Sequence, residues 1–391
     1  MPKAAAFVDT PTCKVPLRTI NLFVLDNLCV SATGGGKSVM EVAERLVGLH
    51  AKRPQTPYLS LYARVPEFSP ADLDAALYRD RTLLRAHCMR GTVHMLPLSQ
   101  YRTVLEATAG QLDGMYRRAF EGLDGKSEIE GSVLGLIRAR GPMTRSELAE
   151  ALPMTVDERD LYRLVNELCT RGVLVKSGVS GPWRSSVYYY ELLDRWQPSI
   201  PPGRGDVATA RAELLSWYLA AYAPATLKDV SWWSGLSQAQ VKKALAESER
   251  PIRAVKFKAL EDEALIYADE FERLQSWEPP RGPQVTLLPS FDPYVIAYID
   301  RGRYINGKFY ERVFKGVAGI IEPVVLVDGR IVGTWKYTAA AGALPVELFD
   351  GESKPSTGGH IERAAEEVAH FMRRADEETG GGGAAVADEA E

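Results

Sequence analysis

Two stretches of the chain, Gly141–Tyr190 and Pro224–Tyr267, repeat the same order of apolar and polar positions. Each begins with a short capped helix, turns into a second amphipathic helix, and ends in two strands joined by a polar loop. In the first stretch, Thr144 and Glu147 form a capping box, and apolar residues spaced by three and four between 161 and 168 mark the second helix. This order predicts a winged helix in both stretches.

The flanking regions add a helical block and a strand-rich end. The N-terminal block contains another capping box, Ser38 with Glu41, and we interpret it as a third, weaker winged helix. Beyond residue 283 the pattern changes to short strands. Asp328 and Gly329 between two of them indicate a type I′ hairpin turn, which requires positive φ at both central residues.

These patterns predict an α+β fold of tandem winged-helix (helix-turn-helix) domains with a C-terminal β-rich part. The predicted divisions are an N-terminal arm (1–16), an N-terminal winged-helix-like domain (17–125), a second winged helix (126–200), a third winged helix (205–278), a C-terminal β-rich part with a helix (284–375) and a disordered acidic tail (376–391).

Composition narrows the class of protein. The chain has 391 residues, of which 46% are hydrophobic and 25% are charged, as in soluble globular proteins. No apolar run approaches the roughly 18 residues of a membrane span, so we expect a cytoplasmic protein. Its four cysteines are widely separated and contain no Cys-x-x-Cys pair, which indicates neither a zinc site nor a disulfide framework. We expect a monomer without a cofactor.

The net charge of −4 does not exclude a nucleic-acid partner. Six of the 51 acidic residues lie in 376–391, so the body has 45 acidic and 47 basic residues. Phosphate contact depends on local potential, and a candidate basic cluster comprises Arg79, Arg81, Arg85 and Arg90. Together with the winged helices, this cluster favours duplex DNA as the partner.

Candidate DNA contacts lie on the second helices and on a wing. Polar residues on a second helix can contact phosphates or base edges, although a merely solvated face would show the same pattern. An aromatic residue beside a cation at a wing tip suits insertion into a groove. The candidates are Arg163, Asn166 and Arg171 on the second helix of the first copy, Trp183 and Arg184 on its wing, and Lys242 and Lys243 in the second copy.

Two further patterns are weaker. Gly34–Ser38 is close to a phosphate-binding loop, but Ser31 stands where that motif requires glycine, and a loop leading into a capped helix explains it as well. His87, Cys88 and His94 match no tetrahedral metal spacing, so strand and core packing is the better interpretation. We therefore expect no metal site.

Five separated blocks together resemble one family, the AlkZ/YcaQ-type DNA glycosylases. The resemblance covers most of the chain and keeps the order of the blocks. The blocks are Glu41–Leu49, Met89–His94, Trp232–Leu236, Leu287–Tyr294 and Pro323–Trp335.

This resemblance implies tandem winged helices around a concave cleft that faces DNA, and hydrolysis of the N-glycosidic bond of alkylated purines, with bulky adducts and crosslinks among the substrates. The family uses Gln-x-Gln or Gln-x-Asp directly after the first block, where this chain has His50-Ala51-Lys52. His50 and Lys52 are therefore the candidate catalytic residues. The alternative function is a non-catalytic winged-helix protein that binds DNA or lesions and has lost the glutamine motif.

The chemistry of N-glycosidic bond hydrolysis allows histidine and lysine at the positions of the family's glutamine motif. An N7- or N3-alkylated purine is cationic and already a good leaving group, so the enzyme mainly has to position water. A neutral His50 can orient water, and Lys52 can hold a phosphate or, if desolvated, attack the sugar as a Schiff-base nucleophile. Both side chains face one cleft only if this segment is extended. Alternatively, His50 is a core histidine and Lys52 a solvated surface residue.

Overall fold

The computed structural model describes residues 8–30, 38–121, 125–200, 205–316 and 319–379. The helices of these residues are α1 Leu17–Asn27, α2 Val39–Arg45, α3 Thr56–Tyr62, α4 Pro70–Asp74, α5 Leu98–Ala119, α6 Lys126–Arg140, α7 Arg145–Ala151, α8 Glu158–Thr170, α9 Leu193–Trp196, α10 Val207–Tyr222, α11 Leu227–Ser234, α12 Gln238–Leu245, α13 Ala268–Ser276, α14 Pro293–Ile296, α15 Tyr310–Val313 and α16 Gly358–Glu378.

The strands are shorter and form several small sheets. They are β1 Val8–Cys13, β2 Leu49–His50, β3 Leu83–His87, β4 Val93–Pro97, β5 Met143–Thr144, β6 Leu174–Ser180, β7 Val187–Leu192, β8 Ala225–Thr226, β9 Ile252–Phe257, β10 Ala264–Tyr267, β11 Val285–Leu288, β12 Phe314–Lys315, β13 Ile320–Ile321, β14 Val324–Val327, β15 Arg330–Trp335 and β16 Val346–Leu348. The chain is thus a mixed helix-and-sheet protein.

One connectivity occurs three times: a helix, a short strand, two helices and a hairpin. It is formed by α2 to β4, by α6 to β7 and by α10 to β10. In each sheet the short strand pairs with the second hairpin strand, giving the orders β2-β4-β3, β5-β7-β6 and β8-β10-β9, and β1 adds in parallel to the outer edge of β9. We call these the first, second and third units.

Local sequence accounts for the helix ends. The Thr144 hydroxyl accepts the backbone N–H of Glu147, and the Glu147 carboxylate accepts the backbone N–H of Thr144, so the predicted capping box starts α7. Gly172, with φ of 70°, follows α8, since a left-handed residue ends a helix at low cost for glycine. Asp328 and Gly329 both have positive φ between β14 and β15, which confirms the predicted hairpin turn.

The buried residues form two hydrophobic cores. The second unit builds its own core around α6, α7 and α8, with the end of α5 packed onto it. The larger core joins the first and third units to the C-terminal sheet β11-β14-β15-β16. Segments distant in the sequence therefore meet between the first unit and the C-terminal part, and this is where His50 lies.

The predicted boundary of the C-terminal part was wrong. Helix α16 continues to Glu378, and Asp376 is buried rather than part of a disordered tail. Its carboxylate accepts the indole N–H of Trp183 at 2.9 Å and pairs with Arg184 at 2.6 Å. Residues 380–391 and the glycines of the candidate phosphate-binding loop lie outside the described residues.

Candidate active site and DNA interface

The His50 segment is extended, as the catalytic interpretation requires. Helix α2 ends at Arg45, and Val47 and Gly48, both with positive φ, turn the chain into β2. A side chain at Gly48 would come within 2.6 Å of Leu96, so glycine allows the close approach of β2 to β4. The backbone stays paired with β4 through Ala51, and the side chains of His50 and Lys52 both lie against the ring of Phe291.

His50 is buried, with 3% of its surface exposed, and lies between two rings. It stacks on Phe291 with centroids 5.1 Å apart, and it contacts the ring of His94 edge-on, also at 5.1 Å. Burial, followed by the charges of His94, Lys52 and Arg90, holds the pKa of His50 well below its usual value. The imidazole is therefore neutral at neutral pH.

A small cavity adjoins His50. It is lined by the turn Leu46–Gly48, by His50 of β2 and His94 of β4, and by Tyr222, Trp233, Pro293 and Ile296, and its volume is about 10 Å³. That is at the lower limit for one water molecule and far below the size of a nucleobase. A substrate base would have to lie outside this cavity.

Lys52 is exposed beside the same aromatic ring. Its Nζ lies 5.1 Å from the Phe291 centroid, and its backbone N–H points at His50 Nδ1 across 3.5 Å, the outer limit of a hydrogen bond. The exposed side chain is not desolvated, which is the condition that activates a lysine nucleophile. Its position suits contact with a phosphate better.

Phe291 is held in place by buried polar contacts between the C-terminal part and the first unit. The Asp292 carboxylate pairs with Arg64 at 2.8 Å, both side chains being fully buried, and accepts a hydrogen bond from the Ser60 hydroxyl. The Thr56 hydroxyl donates to the carbonyl of Ser290. Removing one partner of such a buried pair leaves an uncompensated charge, so these contacts fix the turn that carries Phe291.

The residues of the rejected metal pattern pack in the core. Cys88 Sγ lies 3.1 Å from His94 Nδ1, and burial lowers the pKa of His94 to about 4 and raises that of the Cys88 thiol far above its usual value. His87 instead contacts Asn166. Within the described ranges, no three His, Cys, Asp or Glu residues are placed to hold a metal ion.

The predicted DNA contacts on the second helix of the second unit already have partners within the protein. Arg163 bonds to the Ala119 carbonyl and to Asp160, and Arg171 pairs with Glu130 at 2.9 Å. Asn166 is buried against His87. The structure thus overturns the prediction that Asn166 contacts DNA, because its amide already serves an internal hydrogen bond.

The wing prediction also fails. Trp183 is buried, packs edge-on against Tyr58 and Phe371, and donates to Asp376. Arg184 is paired with the same carboxylate. By contrast, Lys242 and Lys243 in α12 are exposed, as a DNA contact requires.

The predicted basic cluster does not form one surface. Arg79 pairs with Asp80, Arg81 donates to the Trp196 carbonyl, and Arg85 is buried with a hydrogen bond to a tyrosine hydroxyl. Arg90 alone lies near the candidate site, where its charge acts on His50 and His94.

Two residues around Arg90 were not predicted from the sequence as part of the site. The Arg90 guanidinium lies 3.5 Å from the ring centroid of Trp232 in α11, and Arg301 approaches the same ring at 5.8 Å. Arg90 and Trp232 lie in the family blocks Met89–His94 and Trp232–Leu236. The presence of both blocks was therefore the sequence signal that could have indicated this contact.

Comparison with known proteins decides the family. The family model for DNA glycosylase AlkZ-like proteins matches residues 43–371. The chain belongs to this family. DNA glycosylase is therefore its enzyme class, and the matched range includes His50, Lys52 and Phe291.

Two relatives support the assignment over most of the chain. An interstrand DNA cross-link repair glycosylase of Streptomyces sahachiroi is 24% identical over 359 residues, covering 86% of this chain and 90% of its own. The solved structure of the Streptomyces sahachiroi DNA glycosylase AlkZ superposes with a TM-score of 0.74 at 23% identity, covering 93% of this chain and 97% of its own. The two proteins thus share a fold. No helix in the described part of this family member is long and apolar enough to cross a membrane.

Proposed function

We propose that this AlkZ-like glycosylase hydrolyses the N-glycosidic bond of an alkylated purine in duplex DNA, with His50 and Lys52 at its active site. The observation that carries the proposal is the extended segment that directs both side chains to Phe291, at the position of the family's glutamine motif. The proposed enzyme starts base excision repair as a cytoplasmic monomer and uses no cofactor.

His50 is the water-positioning residue in this proposal. A neutral imidazole offers a ring nitrogen that accepts a hydrogen bond from water, and the cavity beside it has room for about one water. Because an alkylated purine leaves as a neutral base, no strong general acid is required. The lesion itself lies outside the cavity, on the exposed side near Lys52.

Lys52 is a phosphate contact in this proposal. A lysine ammonium close to the oxocarbenium-like sugar would oppose the positive charge that develops there, whereas a neighbouring phosphate would neutralise the ammonium. Its exposure favours this ionic role over a Schiff-base role. We therefore expect a monofunctional glycosylase.

The three repeated units are winged helices in this proposal. Their shared order of helix, strand, two helices and hairpin, with the short strand on the second hairpin strand, supports that assignment. The third unit presents its second helix, with Lys242 and Lys243, to duplex DNA.

One observation favours a different function, a non-catalytic protein that binds DNA or lesions. His50 is almost fully buried between Phe291 and His94, as a histidine retained for packing would be. If His50 is catalytic instead, water has to reach its imidazole through the small cavity beside it.

The deciding experiment incubates the purified protein with duplexes that contain N7-methylguanine or N3-methyladenine and measures free base and abasic sites. We expect base release by the wild type and a loss of at least about 100-fold in His50→Ala, with DNA affinity within a few-fold. His50→Gln, which restores the family residue, should retain activity. A folded His50→Ala protein with wild-type rates would contradict the role of His50.

Borohydride trapping tests Lys52 separately. We expect no covalent protein–DNA adduct, and we expect Lys52→Gln to weaken DNA binding while it keeps base release at saturating protein. An adduct that disappears in Lys52→Gln would overturn the monofunctional assignment. Wild-type protein that binds the lesion but releases no base would support the non-catalytic alternative.

A further inference from the structure

Arg90, Trp232 and Arg301 form a cationic aromatic cluster beside the candidate active site. Arg90 lies in the turn between β3 and β4 with φ of 57°, and Gly91 follows with φ of 72°. This sharp turn places the guanidinium over the ring of Trp232, which belongs to the third unit. The cluster thus joins the hairpin of the first unit to a helix of the third.

Arg301 brings a second guanidinium to the same indole. It lies 4.0 Å from the ring centroid of Phe314 and donates to the Tyr310 hydroxyl at 2.6 Å. The Arg301 guanidinium is thus held by aromatic rings and by a neutral hydroxyl. No carboxylate among the residues described here forms a salt bridge with Arg90 or Arg301.

Within the described part of the chain, no carboxylate therefore compensates these two like charges. Partial burial, and then the charge of Arg301, lower the pKa of Arg90 to about 10. In addition, Trp232 Nε1 and Arg301 Nε are buried donors that find no acceptor in the described part of the chain. An excess of N–H donors over acceptors is the feature that an anion site shows in its free state.

The position of the cluster indicates which anion it receives. Trp233, which follows Trp232 in α11, lines the cavity beside His50, and Arg90 lies in the turn that leads into β4, the strand that carries His94, so the cluster lies at the edge of the candidate active site. A guanidinium fork matches the geometry of phosphate oxygens. Lys52 lies on the Phe291 side of the same histidine.

We propose that Arg90 and Arg301, supported by Trp232, bind the DNA backbone phosphates next to the nucleotide that is excised. This inference rests on the proposed function, because it requires duplex DNA at the His50 site. Arg90 and Arg301 hold the strand from one side of His50, and Lys52 holds it from the other. Trp232 keeps the Arg90 guanidinium extended toward the strand, so little side-chain entropy is lost on binding.

Salt dependence of DNA affinity tests this site. The dissociation constant for an undamaged duplex is measured by fluorescence anisotropy across a range of salt concentrations. The slope of log Kd against log salt falls by about 1 for each phosphate that the protein no longer neutralises. We expect that decrease in Arg90→Gln and in Arg301→Gln, and about 2 in the double variant. Arg90→Lys keeps the charge and should recover most of the slope.

The matched control is Arg374→Gln, which removes an exposed arginine that is already paired with Glu378 at 3.1 Å. It should keep the wild-type slope. Thermal melting of every variant separates weaker phosphate binding from partial unfolding. A folded double variant with the wild-type slope would overturn the proposal, and so would a slope that falls equally in Arg374→Gln.

The outcome is separable from that of the proposed function. If the wild type binds duplex DNA but releases no base, the catalytic assignment fails while the slopes still decide the phosphate contacts. If base is released and the slopes do not change, only the phosphate contacts fail. A wild type that does not bind duplex DNA at low salt overturns both.

Discussion

Helices α8 and α12 occupy the same place in two units of identical connectivity, yet their polar residues are used differently. In α8, Asn166 is buried against His87 of β3, and Arg171, directly after the helix, is paired with Glu130. In α12, Lys242 and Lys243 are exposed and form no salt bridge within the described ranges. One helix packs its polar face against a neighbouring unit, and the other leaves it open.

This difference between α8 and α12 shows that the connectivity of a unit does not decide which of its helices is free to contact a ligand. Helix α5 and strand β3 of the first unit pack on α8, and this packing buries Asn166. Helix α12 packs on α10 and α11 of its own unit, so its lysines point away. A fold motif therefore supplies a scaffold, and its environment assigns the role.

The largest expected effect concerns Trp183, in the hairpin loop of the second unit. Trp183→Ala should lower the free energy of unfolding by about 3–5 kcal/mol, because it removes a buried aromatic ring that packs against Tyr58 and Phe371. Denaturant unfolding measures the change. Trp183→Phe, which removes the N–H bonded to Asp376 but keeps an aromatic ring, should cost less. If Trp183→Ala were as stable as the wild type and bound DNA more weakly, the wing would be a DNA contact after all.

Acid should weaken the packing of His87 against Asn166, between the first and second units. Burial, followed by the charge of Lys176, lowers the pKa of His87 to about 3 in the folded protein. The unfolded chain takes up this proton near pH 6.5, so the free energy of unfolding should fall as pH drops from about 6.5 toward 3. Chemical denaturation at a series of pH values measures this. Replacing His87 with Gln should make the decline shallower, and an unchanged pH profile would contradict the buried neutral state.

A smaller effect is expected from Asn166→Ala. The substitution removes the amide that contacts His87 and donates to the Tyr162 carbonyl, which should cost about 1–3 kcal/mol. DNA affinity of the folded protein should stay unchanged, and anisotropy titration checks this. A stable Asn166→Ala protein with reduced DNA affinity would show that α8 contacts DNA, and α8 and α12 would then have the same role.

The smallest effect on stability is expected in α12. Lys242→Gln with Lys243→Gln should change the free energy of unfolding by no more than about 0.5 kcal/mol, since both side chains are exposed. The slope of log Kd against log salt should nevertheless fall by up to about 2. An unchanged slope would show that these lysines are only a solvated face.

The candidate active site shows which contacts could be predicted from the sequence and which could not. The position of His50 and Lys52 followed from the family blocks, and the need for an extended segment there followed from their spacing. The partner Phe291, however, comes from a turn 241 residues later in the chain, held there by the Arg64–Asp292 pair. No local pattern reports such a contact.

Local sequence was sufficient for the capping box of Thr144 and Glu147, the spacing of apolar residues and the positive-φ hairpin at Asp328 and Gly329, because each depends on hydrogen bonds and sterics within a few residues. Only the tertiary structure decided that Trp183 is buried and that Asp376 belongs to a helix. Periodicity indicates which face of an element is apolar, but long-range packing decides which polar and aromatic groups find partners.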